Sequence, residues 1–157
     1  MKKEAVLILP NIRSTYNVGA IFRTADAAGI NKIYLVGYTP APVDEFGRAD
    51  SGIAKTALGA EKTINWEKVA STTALIKKLK KTGFQIIALE QAKNSVDYKK
   101  VKPKFPCAMI LGEEVSGLSP AILKNCDLIA EIPMQGQKES LNVSVAAGIA
   151  LFRILGV

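Results

Sequence analysis

Within residues 14–29, STYNVGAIFRTADAAG, an amide at Asn17 and a guanidinium at Arg23 stand six positions apart beside a face of alanine and glycine. Two later segments also gather chemistry-bearing groups. In ILGEEVSGLS, Glu113 and Glu114 lie between Gly112 and Gly117, and in IPMQGQKESLNVSVAA, Ser140 and Asn142 precede an apolar run. Each group has a plain structural reading. Asn17, Ser140 and Asn142 suit helix starts, where a side-chain oxygen accepts from an unpaired backbone N–H. Arg23 lies about 140° from Val18 around a helical wheel, off the apolar face, where an arginine is simply solvated. Gly112 and Gly117 suit turns, and Ser119-Pro120 suits a helix start with proline first. Glu113 and Glu114 fit less easily, because carboxylates at a strand end cost free energy unless cations or backbone donors meet them. The chain has no histidine. That removes the usual general base, the commonest zinc ligand and any imidazole-based triad, so chemistry must come from the other groups.

These groups are held by apolar runs that alternate with helical patterns. Strands are predicted at 5–10, 32–37, 62–66, 84–90, 107–113 and 128–134. Helices are predicted at 17–28, near 51–58, and at 67–82, 119–125 and 141–155. The order predicts an α/β domain with a mostly parallel sheet flanked by helices. Val18, Ile21, Phe22, Ala25 and Ala28 form one stripe on the first helix, and Val69, Leu75, Ile76 and Leu79 form another on the third. The last helix is apolar nearly all round, which predicts burial on every side although it is terminal. Open parallel sheets bind ligands beyond the carboxyl ends of their strands. Four places qualify: NIRSTYNVGAIFR, LEQAKN, LGEEVSGLS and IPMQGQKESLN. The long loop 37–52 is also of the kind that is often functional.

The totals narrow the class. At 157 residues and 48% hydrophobic the chain reads as one folded domain. No run approaches the roughly 20 apolar residues of a membrane span. MKKEAVLILPN starts basic, but its apolar part is short and ends at Pro10, so it reads as a first strand rather than a signal peptide. Cys107 and Cys126 give no disulfide framework and no metal spacing, which points to a reducing cytoplasm. The net charge is +7, concentrated in KKLKK at 77–81 and DYKKVKPK at 97–104. Such charge draws a phosphate-bearing partner with strong salt dependence, or else solvates a helix face. LGEEVSGLS has neither the spacing nor the lysine of a P-loop.

NVGAIFRTADAAGI, ILGEEVSGLS and IPMQGQKESLNVSVAAGIALFR together resemble, in order, the three motifs of the SpoU family of RNA ribose 2'-O-methyltransferases in the SPOUT superfamily. The resemblance spans about residues 4–156, and SLNVSVA is its most specific part. Glu113 departs from it, standing where relatives often carry a smaller or amide residue. The resemblance implies a deep C-terminal trefoil knot; many members of the family carry an additional N-terminal RNA-binding domain, whereas here a single catalytic domain over 1–157 with no separate RNA-binding domain is expected. The resemblance also implies S-adenosylmethionine as cofactor, no metal, a tRNA or rRNA substrate, and a homodimer whose active site the second chain completes. The small-residue helix 17–29 and the last helix would supply that interface. By motif position, Leu89, Gly112, Ile132, Ser140 and Leu141 would hold the cofactor. Arg23, Asn17, Glu114, Ser140 and Asn142 match the family's catalytic positions, with Arg13 as a further phosphate contact. Making a guanidinium neutral near pH 7 costs about 7 kcal/mol. The resemblance casts Arg23 as activating the 2'-hydroxyl, and that cost favours the other reading, in which it orients the 2'-hydroxyl and phosphate and stabilises developing alkoxide charge. The alternative is a noncatalytic knotted RNA-binding or assembly protein.

Overall fold

In the computed structural model, which describes residues 3–113 and 115–157, seven strands form one sheet. They are β1 (Ala5–Pro10), β2 (Lys32–Val36), β3 (Asn65–Val69), β4 (Gln85–Leu89), β5 (Val96–Asp97), β6 (Cys107–Leu111) and β7 (Leu128–Glu131). Their spatial order is β3-β2-β1-β6-β4-β7-β5, and every pairing is parallel. A parallel sheet needs cover on both faces, and the alternation of side chains along each strand supplies it. Leu7 and Leu9 of β1, with Met109 and Leu111 of β6, join one core; Val6 and Ile8, with Ala108 and Ile110, join the other.

The first core is closed by α1 (Thr15–Ala28), α2 (Ser51–Ala57), α3 (Ala60–Thr63) and α6 (Val143–Leu155). The second is closed by α4 (Thr72–Lys81) and the neighbourhood of α5 (Pro120–Lys124). Helix starts follow local capping chemistry. Ser14 Oγ accepts from Asn17 N at 3.1 Å, Ser71 Oγ from Ala74 N at 3.2 Å and Ser119 Oγ from Ile122 N at 3.3 Å.

Several sequence expectations are corrected here. Residues 60–63 are helical, and the third strand starts at Asn65 because its partner in register is Lys32. Val69 pairs with Val36 in that strand, so it leaves the helical stripe, and the following helix begins only after Ser71. The last helix starts at Val143, capped by Asn142, so Ser140 caps nothing. Nor is that helix buried on every side: Val145, Ile149 and Phe152, at the i, i+4, i+7 spacing of one face, stay exposed. The two-residue β5, inside a segment read as a charged loop, was not foreseen. The strands ending at 89, 111 and 131 are shorter than their apolar runs, because the chain turns there into the loops of a cleft.

Candidate active site

Beyond the carboxyl ends of β4, β6 and β7 lies a cleft of about 470 Å³, closed on its far side by the approach to α6. Leu89, Gly112, Ile132, Ser140 and Leu141, taken from four separate stretches of chain, all line it. Its volume falls within the range of small-molecule sites, and its walls mix leucine, isoleucine and methionine with loop backbone. Its charge is unlike that of the chain as a whole. Glu90, Glu113, Glu131 and Glu139 line it, and among the described lining residues there is no lysine or arginine. An anionic cleft in a chain of net charge +7 suits a ligand that carries a cationic centre and a flat apolar part.

The loop after β6 is clasped by two carboxylates. Glu90 Oε2 accepts from Leu118 N at 2.9 Å and Oε1 from Gln91 N at 2.9 Å. Gly112 and Gly117 leave the space that this carboxylate fills: a Cβ on Gly112 would meet Glu90 Oε2 at 2.9 Å, and one on Gly117 would overlap it. Gly117 also has φ +65°, where a side chain adds strain. Sequence reasoning missed Glu90, although a lone carboxylate just after a strand, with two glycines in a neighbouring strand-end loop, was a usable signal.

Glu113 answers the question of how a carboxylate is tolerated here. It accepts from the Ser116 hydroxyl, from Tyr38 Oη at 2.8 Å and from Ser116 N at 2.9 Å. Those bonds, the Ser116 hydroxyl first, hold its carboxyl below the usual range, with help from the charge of Arg13. Arg13 Nε in turn reaches Tyr38 Oη at 3.5 Å. Tyr38 was not singled out from sequence. Glu114 lies outside the described residues.

Motifs one and three meet directly. Asn142 Oδ1 caps α6 by accepting from Ser144 N at 2.9 Å and Val145 N at 3.4 Å, while its Nδ2 donates to Asn17 Oδ1 at 3.2 Å. Asn17 therefore does not cap α1, a task that Ser14 performs. Ser140 is exposed at the cleft.

Arg23 is not brought to the cleft within one chain. It sits exposed about 9 Å along α1 from Asn17 and about 120° around it. There it borders a shallow depression with Ala20, Lys55, Leu58 and Phe152. One part of the small face of α1 has a partner inside the chain: the space where Gly19 lacks a Cβ is filled by Thr56 and Ile53 of α2. Ala20 and Ala27, beside Arg23, are not covered in this way and border the depression. Burial pushes both thiols up to about 11, so neither is a nucleophile at neutral pH. Among the described residues no group of three or more His, Cys, Asp or Glu could hold a metal ion.

The comparisons with known proteins agree in direction. The sequence model of the SpoU rRNA Methylase family matches residues 4–152. A tRNA (guanosine(18)-2'-O)-methyltransferase of Aquifex aeolicus is 34% identical over 151 residues, 96% of this chain and 68% of that protein. A Staphylococcus saprophyticus protein assigned to the TrmH family of tRNA/rRNA methyltransferases is 33% identical over 98% of this chain, which spans 59% of its length. The AdoMet-bound rRNA methyltransferase of Sinorhizobium meliloti superposes with a TM-score of 0.87 at 32% identity, over 98% of this chain and 56% of that one. With motifs two and three lining one cleft, motif one tied to motif three through Asn17 and Asn142 and the family model matched from Glu4 to Phe152, the chain belongs to the SpoU rRNA methylase family.

Proposed function

We propose that this chain transfers a methyl group from S-adenosylmethionine to a ribose 2'-hydroxyl of tRNA or rRNA. The observation that carries the reading is the convergence of Leu89, Gly112, Ile132, Ser140 and Leu141 on one anionic cleft. S-adenosylmethionine would supply a sulfonium-bound methyl as electrophile. The residues fit it: leucine and isoleucine for the adenine, loop backbone for its polar edge, and glutamates for the cationic end. Because the demethylated product loses the sulfonium charge, the same carboxylates would hold it less well.

The 2'-hydroxyl must be aligned and relieved of its proton. Asn17, bonded to Asn142 between the lining residues Leu141 and Val143, would present an amide to the ribose. Arg23 would orient the phosphate and 2'-hydroxyl by its planar fork and stabilise the developing alkoxide. Its place outside the cleft of its own chain favours service to the site of a second copy. The uncovered α6 stripe supports the same homodimer, since Phe152 and Arg23 border one depression. A knotted C-terminal path belongs to the same reading; Ile132, Met134, Glu139, Ser140 and Leu141 share the cleft with Leu89, Gly112 and Gly117, and the segment is tied there by Gln91 Nε2 donating to Glu139 O at 2.7 Å.

The test incubates the protein with methyl-labelled S-adenosylmethionine and RNA from undermodified cells, followed by digestion to nucleosides. Label on a ribose oxygen is the expected result. Label on a base would overturn the 2'-O reading, and cofactor binding without transfer to any RNA would favour a noncatalytic binding protein. Arg23→Lys keeps the charge and loses the fork; full activity with lysine would remove the orienting role.

A further inference from the structure

The arm 43–49 of the loop between β2 and α2 is used nowhere in the proposed methyl transfer, yet it is tightly built. Val43 and Ala49 form an antiparallel bridge, Asp44 N donates to Arg48 O at 2.9 Å and Gly47 N to Asp44 O at 3.0 Å. The Asp44 carboxylate gathers the tip, accepting from Phe46 N and Arg48 N at 2.9 Å each and from Arg48 Nε at 2.7 Å. What this order presents to solvent is Phe46, 73% exposed, with the Arg48 guanidinium 5.0 Å from its ring centroid. A phenylalanine held in water by an ordered loop gains no burial within its own chain.

Two other aromatic side chains repeat the arrangement. Tyr38 and Tyr16 are each 53% exposed; Arg13 stands 5.8 Å from the Tyr38 ring and Lys55 5.7 Å from the Tyr16 ring. All three rings lie on segments that leave the carboxyl ends of β1 and β2, and Tyr38 bonds to Glu113 of the cleft loop. A cation over one face leaves the other face for a flat partner, and exposed rings flanked by cations suit the bases and phosphates of a strand. Base pairing hides base faces inside a duplex, so only unpaired nucleotides offer them.

We propose that the arm 43–49, with Tyr38 and Tyr16, is a stacking platform for unpaired nucleotides flanking the methylated ribose, so that the substrate is a loop or single-stranded segment rather than a helix. This rests on the RNA reading above.

The test titrates the full chain, at one fixed ionic strength, into a stem-loop RNA carrying 2-aminopurine in its loop and into a fully paired duplex of equal length. The expected result is tighter binding to the stem-loop with a change in 2-aminopurine fluorescence on stacking. Phe46→Leu and Tyr16→Leu keep apolar bulk and lose the ring; each should weaken stem-loop binding roughly five- to tenfold, leaving duplex binding and cofactor affinity unchanged. Phe46→Trp should restore or strengthen stem-loop binding. Equal affinity for both RNAs, or leucine variants that bind the stem-loop like wild type, would overturn the platform while leaving methyl transfer intact. Loss of the dimer in the leucine variants with unchanged stem-loop affinity would assign the rings to a protein contact and also overturn it. A chain that binds neither RNA would fail the RNA reading itself.

Discussion

Glu90 and Gly117 make one unit, a carboxylate occupying the space of a missing side chain while it takes the Leu118 N–H. Gly117→Ala asks for a Cβ at φ +65° and in the volume of that carboxylate. The left-handed conformation alone costs roughly 1 kcal/mol for a non-glycine residue, and displacing Glu90 leaves the Leu118 donor unmet. The expected outcome is a fall of about tenfold or more in S-adenosylmethionine affinity by calorimetry, with a loss of a few degrees in Tm. Unchanged affinity would mean that the loop 112–118 does not shape the cofactor site. Glu113 gives a pH prediction. Its carboxyl is held below the ordinary 4.5, so its contribution is complete above that value and is lost as pH falls through the depressed one. The Tm difference between wild type and Glu113→Gln should therefore be positive at neutral pH and close on acidification below about pH 4.5. A difference that stays constant down to pH 3 would remove the charge as its cause. At this scale the sequence told more about residue types than about partners. Asn17 and Arg23 carried a six-residue spacing that marks the family, whereas the Glu90 clasp joins residues 28 apart, and no local pattern announces such a pair.

The loops that leave β1 and β2 are welded by a single buried hydroxyl. Thr39 is fully buried; its Oγ1 donates to Leu9 O at 2.7 Å and accepts from Ile12 N at 2.9 Å. Lys68 of β3 closes the same turn, its Nζ donating to Gly37 O at 2.8 Å and Thr39 O at 2.5 Å. Thr39→Val preserves shape and orphans both backbone groups, so stability should fall by about 2 kcal/mol and Tm by roughly 4–8 °C, read by thermal unfolding. A fall under 1 °C would mean that the two backbone groups find other partners. Element type was readable where one period dominated: the α1 stripe and the apolar runs of β1, β4, β6 and β7 came through, with ends off by a few residues. The failures share a cause. Around residues 62–69 the short apolar segment serves α3 and β3 in turn, and only the register with Lys32–Val36 decides where the strand starts. β5 has two residues and exists because β7 offers an edge for it, which is tertiary information.

At the scale of the whole molecule, all-round apolarity of the last helix was read as burial within the chain, and the structure divides it. Ala147, Ala150, Leu151 and Ile154 face the core, while Val145, Ile149 and Phe152 face outward, an apolar stripe that favours association. Ile149→Arg should yield a monomer by sedimentation that no longer transfers methyl, since a charge in the apolar stripe opposes association. A dimeric Ile149→Arg would place the interface elsewhere. The sharper measurement concerns Arg23, exposed beside that stripe and absent from the lining of its own cleft. If each site joins the cleft of one protomer to Arg23 of the other, then Arg23→Ala and Gly117→Ala chains, each impaired alone, complement when mixed and reassociated. The mixed dimer pairs an intact cleft from the first with an intact Arg23 from the second, so activity should recover to about a quarter of the wild-type level with random reassortment. If Arg23 serves its own chain, the mixture stays as inactive as its parents, since no protomer then carries both halves of a site.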